Sequence, residues 1–215
     1  MQPGTMPNKE SVAMKVIGVT GGVGSGKSLI LSFLKDNYNC EIIMADDLAK
    51  DLCRKGELCY KPLVKLLGKS VLGPDREIDK RVMAQMIFND DDLRVKVNGI
   101  IHPGVKKFIL ERIAYLRAKE EIDFLFIEAA LLIEDGYKDI VDELWYIYTN
   151  EAVRRERLKA SRGYSDEKID DIMASQLSEE EFRLNSDFEI DNSGDCEVSY
   201  RQIRERLGEP YGQPE

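Results

Sequence analysis

Residues 16–34 read VIGVTGGVGSGKSLILSFL, and the reading of this stretch decides the fold. Val16-Ile17-Gly18-Val19-Thr20 is an apolar run of strand length. It breaks into Gly21-Gly22-Val23-Gly24-Ser25-Gly26, after which Leu29, Ile30, Phe33 and Leu34 recur at helical spacing. The order is therefore buried strand, glycine-rich loop, amphipathic helix. Within it, Gly21-x-x-x-x-Gly26-Lys27-Ser28 matches the Walker A pattern in the strand-to-helix context that the pattern requires. The glycines let the backbone curl so that several N–H groups converge on one anion, and the helix start adds the positive end of its dipole. Gly22, Val23, Gly24, Ser25, Gly26, Lys27, Ser28 and Leu29 are thus predicted to hold the phosphates of ATP or GTP. Lys27 is predicted to bridge β- and γ-phosphate oxygens, and the Ser28 hydroxyl to ligate Mg²⁺.

Outward from this loop the pattern alternates. Cys40–Met44 reads as a second strand, 45–54 as a helix, Phe124–Ile127 as a third strand, Leu144–Tyr148 as a fourth and Phe188–Ile190 as a fifth. Residues 196–207 form a last helix. Single apolar strands between helices predict an α/β fold with a three-layer parallel sheet. The stretch 57–119 is mostly helical in pattern and predicts an inserted helical domain, with a helix opening at His102-Pro103. Residues 151–185 predict two helices, with Ser165 as one cap and Ser178-x-x-Glu181 as a capping box. Residues 1–13 are predicted to be a flexible extension, 14–207 the folded domain and 208–215 a flexible tail.

The 215 residues carry 40 acidic against 31 basic side chains, a net charge of −9. Bulk attraction to nucleic acid or anionic lipid is excluded on that balance, so any anion site must be a local device. No apolar run approaches the length of a membrane span. Cys40, Cys53, Cys59 and Cys196 form no CxxC pair and there is one histidine, so no zinc motif is present. Free thiols and no apolar leader predict a cytoplasmic protein, a monomer or weak homo-oligomer.

Several P-loop classes remain at this point. No Asn-Lys-x-Asp segment for guanine is present. Small kinases carry an Arg-rich lid over the transferred phosphoryl group. Glu151–Arg162, EAVRRERLKASR, has five Lys/Arg and two Glu. On a helix Arg155, Lys159 and Arg162 share one face, while Arg154 and Arg157 share another. Residues 151–185 are therefore read as a helical lid, with Arg157 and Arg162 as catalytic cations; the alternative is a solvated charged face. Glu128 ends the apolar strand FLFI where a Walker B acid would stand, and is read as a second Mg²⁺ ligand.

The chain resembles the dephospho-CoA kinase family. The resemblance rests on VIGVTGGVGSGKS, ADDLA at 45–49, IHP at 101–103, LLIE at 131–134, the Arg-rich segment, Gln176, Arg183 and DFEIDNSG at 187–194. It implies a nucleotide-kinase core with a helical substrate domain, and ATP-dependent phosphorylation of the ribose 3′-hydroxyl of dephospho-CoA. It further implies that Asp46, His102, Leu131 and Glu134 meet the substrate and that Asn192 and Gly194 contact the adenine of ATP. The sequence departs from the family where Asp-Ala-Asp is usual: here Met44-Ala45-Asp46. Methionine accepts no proton, so Asp46 is read as the surviving acceptor-side base. A kinase of another nucleotide-like acceptor and a nucleotide-binding switch without turnover are the alternatives.

Overall fold

The computed structural model describes residues 13–88, 90–129 and 131–210. Residues 1–12 of the expected extension and 211–215 of the expected tail lie outside the described residues; at 208–210 the chain is described, Gly208 O accepting from Tyr38 at 3.0 Å and Pro210 buried. The described residues divide into two compact units, 13–42 with 114–210, and 43–113.

The first unit is built on a five-stranded sheet in the order β2-β3-β1-β4-β5. The strands are β1 (Lys15–Thr20), β2 (Cys40–Met44), β3 (Phe124–Glu128), β4 (Glu143–Tyr148) and β5 (Phe188–Asp191). β1 runs parallel to β3 and to β4, and β4 parallel to β5. Strands covered on both faces need apolar side chains at successive positions, and β1, β3 and β4 have them. Ile17, Phe126, Trp145 and Ile147 have no exposed surface. Phe126 and Trp145 rings lie 5.8 Å apart and Trp145 and Phe188 5.3 Å apart, an aromatic row across the sheet. On the helical side Phe33 of α1 (Lys27–Asn37) stacks on Tyr200 of the last helix, α9 (Cys196–Leu207), at 3.9 Å.

Carboxylates secure the N-terminal ends of the strands. Val16 N–H donates to Asp142 Oδ2 at 2.7 Å, and Leu144 N–H to Asp187 Oδ2 at 2.8 Å. Glu143 is buried and accepts from Lys15 (2.5 Å), Arg206 (2.6 Å) and the Trp145 indole (2.8 Å), tying β1, β4 and α9 together. Burial pushes its carboxyl up. The hydrogen bonds from Lys15, Trp145 and Arg206 and the Lys15 charge outweigh that and hold it below the usual range. The opposite, C-terminal ends of the strands are left for loops. That is where open α/β sheets place ligands, and β1, with the chain's later strands on both sides, delivers its loop there.

The second unit contains α2 (Ala45–Leu52), α3 (Tyr60–Leu67), α4 (Lys80–Phe88) and the greater part of α5 (Asp91–Lys119). Its core gathers Leu52, Cys59, Leu63, Val71, Val97, Val105 and Ile109. α5 corrects one expectation: no helix opens at His102. Pro103 lies inside a continuous helix of 29 residues. The proline ring crowds the carbonyl four residues earlier. That residue is Gly99, which adds no side chain of its own to the crowding and has open space where a Cβ would stand. A second correction concerns 151–185, which forms three helices rather than two: α6 (Glu151–Arg162), α7 (Asp166–Ala174) and α8 (Glu179–Asn185). Gly163 in the left-handed region ends α6, and the Ser165 and Ser178 caps start the next two.

Candidate active site

The loop between β1 and α1 supplies the anion-binding backbone. Gly26 is the N-cap of α1 at φ 84°, a left-handed conformation that glycine adopts without strain. It also has no room for a side chain, because a Cβ there would collide with the Asn192 amide nitrogen. Lys27 donates from Nζ to Gly21 O at 2.7 Å and lies 3.6 Å from Glu128 Oε1. Strand pairing brings that carboxylate close: Glu128 is opposite Val19, one residue from the end of β1. Glu128 is buried and Ser28 is exposed on the first turn of α1. Thr20 Oγ1 and Ser25 Oγ are buried beside the loop and have no hydrogen-bond partner among the described residues.

Behind the loop stands a layer of polar side chains from distant parts of the chain. Ser25 O accepts from Asn192 Nδ2 at 2.8 Å and from Thr149 Oγ1 at 2.9 Å. Asn192 is 0% exposed, and its Oδ1 accepts from Ser199 at 3.0 Å. Arg157 Nη2 donates to Asn192 O at 2.9 Å. The Asn192 amide is thus consumed inside the fold and braces the phosphate loop. Gly194 is exposed in the turn before α9.

The cations of α6 part company by helix face. Arg155 binds Glu151 at 2.8 Å and Asp170 at 2.5 Å, and Lys159 binds Asp166 at 2.7 Å, so that face holds α7. Arg162, at the end of the same face, is exposed, with its guanidinium 5.8 Å from the Tyr164 ring centre. Arg154 and Arg157 turn to the loop. Arg157 Nη1 would lie 3.2 Å from a Cβ on Gly26. Arg154 donates from Nε to Val23 O and from Nη2 to Gln176 Oε1, both at 3.0 Å. Sequence reading gave Arg154, Thr149 and Gln176 no role. Their signal is three-dimensional, since Val23 and Gln176 are 153 residues apart.

Leu131 and Glu134 are exposed in the turns after β3, with Leu132 buried between them. Asp46 and His102 belong to the second unit. Asp46 is exposed on the first turn of α2, and His102 is half-buried within α5. The same unit holds a cavity of about 520 Å³, with Ala49, Ile78, Met83 and Ile101 as apolar walls and Lys50, Arg54 and Lys80 among its lining residues. Cys53 also lines it, and burial pushes its thiol up to about 11, so it stays protonated at neutral pH.

The parallel sheet, the Walker A loop and the buried acid beside its lysine define a P-loop kinase. The family profile described as dephospho-CoA kinase matches residues 15–197. A dephospho-CoA kinase of Geobacter sulfurreducens is 33% identical over 89% of this chain and 96% of its own. One of Carboxydothermus hydrogenoformans is 34% identical over 89% and 92%. Among solved structures, TT1252 from Thermus thermophilus superposes with a TM-score of 0.74 at 26% identity, covering 91% of this chain and 97% of that one. The chain belongs to the dephospho-CoA kinase family.

Proposed function

We propose that this chain moves the γ-phosphoryl group of ATP to the ribose 3′-hydroxyl of dephospho-CoA in the cytoplasm, the final step of coenzyme A biosynthesis. The observation that carries the reading is Lys27, held between Gly21 O and the buried Glu128 beside the glycine-rich loop. On binding ATP, Lys27 exchanges these neighbours for β- and γ-phosphate oxygens, with the N–H groups of Gly24 to Leu29 around the phosphates. The 3′-hydroxyl oxygen attacks Pγ, the bond from Pγ to the bridging oxygen breaks, and ADP leaves. Asp46 takes the hydroxyl proton, Arg157 neutralises charge on the group in transit from its place beside Gly26, and Arg162 joins it from the exposed end of α6.

Leu131, Glu134 and His102 act on the acceptor's side, and Gly194 lies towards the adenine. The cavity of the second unit, with apolar walls of Ala49, Ile78, Met83 and Ile101 and with Glu77 beside Lys50, Arg54 and Lys80, suits the apolar arm of the acceptor. For Mg²⁺, Ser28 and Glu128 offer hard oxygen ligands. An ion held by these two oxygens would take its remaining ligands from substrate phosphate and water. Held by Ser28 and Glu128, Mg²⁺ would supply neutralisation of the negative charge on the transferred phosphoryl group.

The test is ADP release by the full chain with and without dephospho-CoA, beside Lys27→Ala. ADP release that depends on dephospho-CoA and vanishes in Lys27→Ala is expected. Near-native turnover by Lys27→Ala refutes the mechanism. Release that needs a different acceptor moves the assignment to another kinase substrate, and nucleotide binding without release under any acceptor moves it to a switch.

A further inference from the structure

Arg154 is buried, at 9% exposure, yet no carboxylate pairs with it among the described residues. Its bonds go to Val23 O and to the neutral amide oxygen of Gln176. Gln176 Oε1 also accepts Val23 N–H at 3.1 Å. The three residues close a ring in which both backbone groups of Val23 are held by side chains of α6 and of the turn after α7. The guanidinium lies against the loop so closely that a Cβ on Gly22 would collide with it.

A buried cation without a counter-charge is costly in a resting protein. Three neighbouring cations on α6 and in the fold beside it show that this chain has acids to spare. Arg155 takes Glu151 and Asp170, Lys159 takes Asp166, and Arg183 takes Glu179 and Glu189. Arg154 alone of these meets a glutamine where a glutamate would fit the same space. The position therefore keeps its charge uncompensated beside the phosphate loop.

We propose that Arg154 and Gln176 are positioning residues of the ATP site: they clamp Val23 so that its carbonyl is turned away from the bound phosphates, and they keep an unpaired positive charge directly behind the loop for the triphosphate to neutralise. This rests on the kinase reading for its place in the reaction, but not for its test.

The carbonyl matters because an oxygen pointing into an anion cup repels the anion, and Arg154 Nε holds this one outward. The neutral acceptor matters because it fixes the arginine without cancelling its field.

The experiment measures binding of ATP, ADP and AMP by titration calorimetry, without acceptor, to the native chain, Gln176→Glu and Arg154→Met, together with their thermal unfolding. Gln176→Glu keeps shape and both accepted hydrogen bonds but gives Arg154 a counter-charge. It is expected to unfold no lower than the native chain while binding ATP at least about 10-fold more weakly, the scale of one charge-assisted hydrogen bond. Arg154→Met, which fills the same space without charge, is expected to lose ATP affinity similarly. Both losses should be smaller for AMP than for ATP. Native ATP affinity in Gln176→Glu overturns the proposal, as does an equal loss for AMP and ATP. If Arg154→Met does not fold, Gln176→Glu decides alone. A native chain that binds ATP but phosphorylates no dephospho-CoA would sink the kinase reading and leave this inference to stand on the binding data.

Discussion

Replacing Gly26 by alanine tests how rigidly the phosphate loop is held. Two effects add. Gly26 sits at φ 84°, where an L-residue costs roughly 1–2 kcal/mol. The new methyl also meets the Asn192 amide nitrogen, and behind it Arg157 Nη1 at 3.2 Å. Asn192 cannot swing aside: it is fully buried, bonded to Ser25 O and accepts from Ser199. Forcing a methyl into a fixed site costs about 1–3 kcal/mol. The sum is about 2–5 kcal/mol. Gly163→Ala is the internal control, because Gly163 has φ 62° and nothing within 4 Å of its notional Cβ. It isolates the conformational part, about 1–2 kcal/mol. Urea unfolding followed by fluorescence suits both, since Trp145 is the sole tryptophan and lies buried in β4. ATP affinity is measured in parallel. Gly26→Ala should unfold at lower urea than Gly163→Ala and lose ATP binding, while Gly163→Ala keeps it. Adding Asn192→Ala to Gly26→Ala should return part of the loss, because it removes the obstacle. Equal destabilisation by the two glycine replacements would refute the claim that Asn192 is a fixed brace.

At the acceptor-side turn, Asp46→Asn should lower kcat by about 10²–10⁴, the scale of a general base, and Met44→Asp should restore part of that loss. Met44 is the N-cap of α2 and makes no side-chain cap bond. Aspartate there also stabilises the helix by about 0.5–2 kcal/mol, so activity is compared at equal folded concentration, and full activity in Asp46→Asn would remove it from the mechanism. Glu143 gives an acid limb to stability. Its folded carboxyl is held below the unfolded value, so its contribution is complete above the unfolded pKa and is lost as pH falls through the folded one. Glu143→Gln should flatten that limb and cost about 1–2 kcal/mol at neutral pH, the low end because Lys15 and Arg206 are 38% and 40% exposed and rehydrate; an unchanged acid limb by urea titration would exclude it.

What was legible in the sequence was local. Strand, loop and helix at 15–37 are contiguous, and their chemistry is written at fixed spacing from Gly21 to Ser28. The caps at Ser165 and Ser178 were legible for the same reason. The number of helices at 151–185 was misread because the two caps were counted as two helices and the glycine stop at Gly163, which ends a third helix before them, was not used. Helical spacing also sorted the cations of α6 into two faces. It could not say which face met the loop, since that depends on bonds such as Asn192 to Ser25, made across 167 residues. Asn192 shows the limit of the motif. Asp-Asn-Ser-Gly reads as a turn that could touch a ligand, and only the fold shows its amide pointing inward to Ser25.

The division of α6 explains how a chain of net charge −9 builds an anion site. A positive helix face would be of little use if the protein's own acids covered it. On one face they do: Asp166 and Asp170 of α7 occupy Lys159 and Arg155. On the other, Arg154 and Arg157 are bound only by backbone carbonyls, a hydroxyl and an amide oxygen, none of which carries charge. The acids thus fix the helix without neutralising its inner face. Two guanidinium groups remain beside the loop with their fields intact, where low dielectric makes each act more strongly than at the surface. Beside the loop, the carbonyl of Val23, the carbonyl of Asn192 and the amide of Gln176 hold these guanidinium groups in place without adding a negative charge.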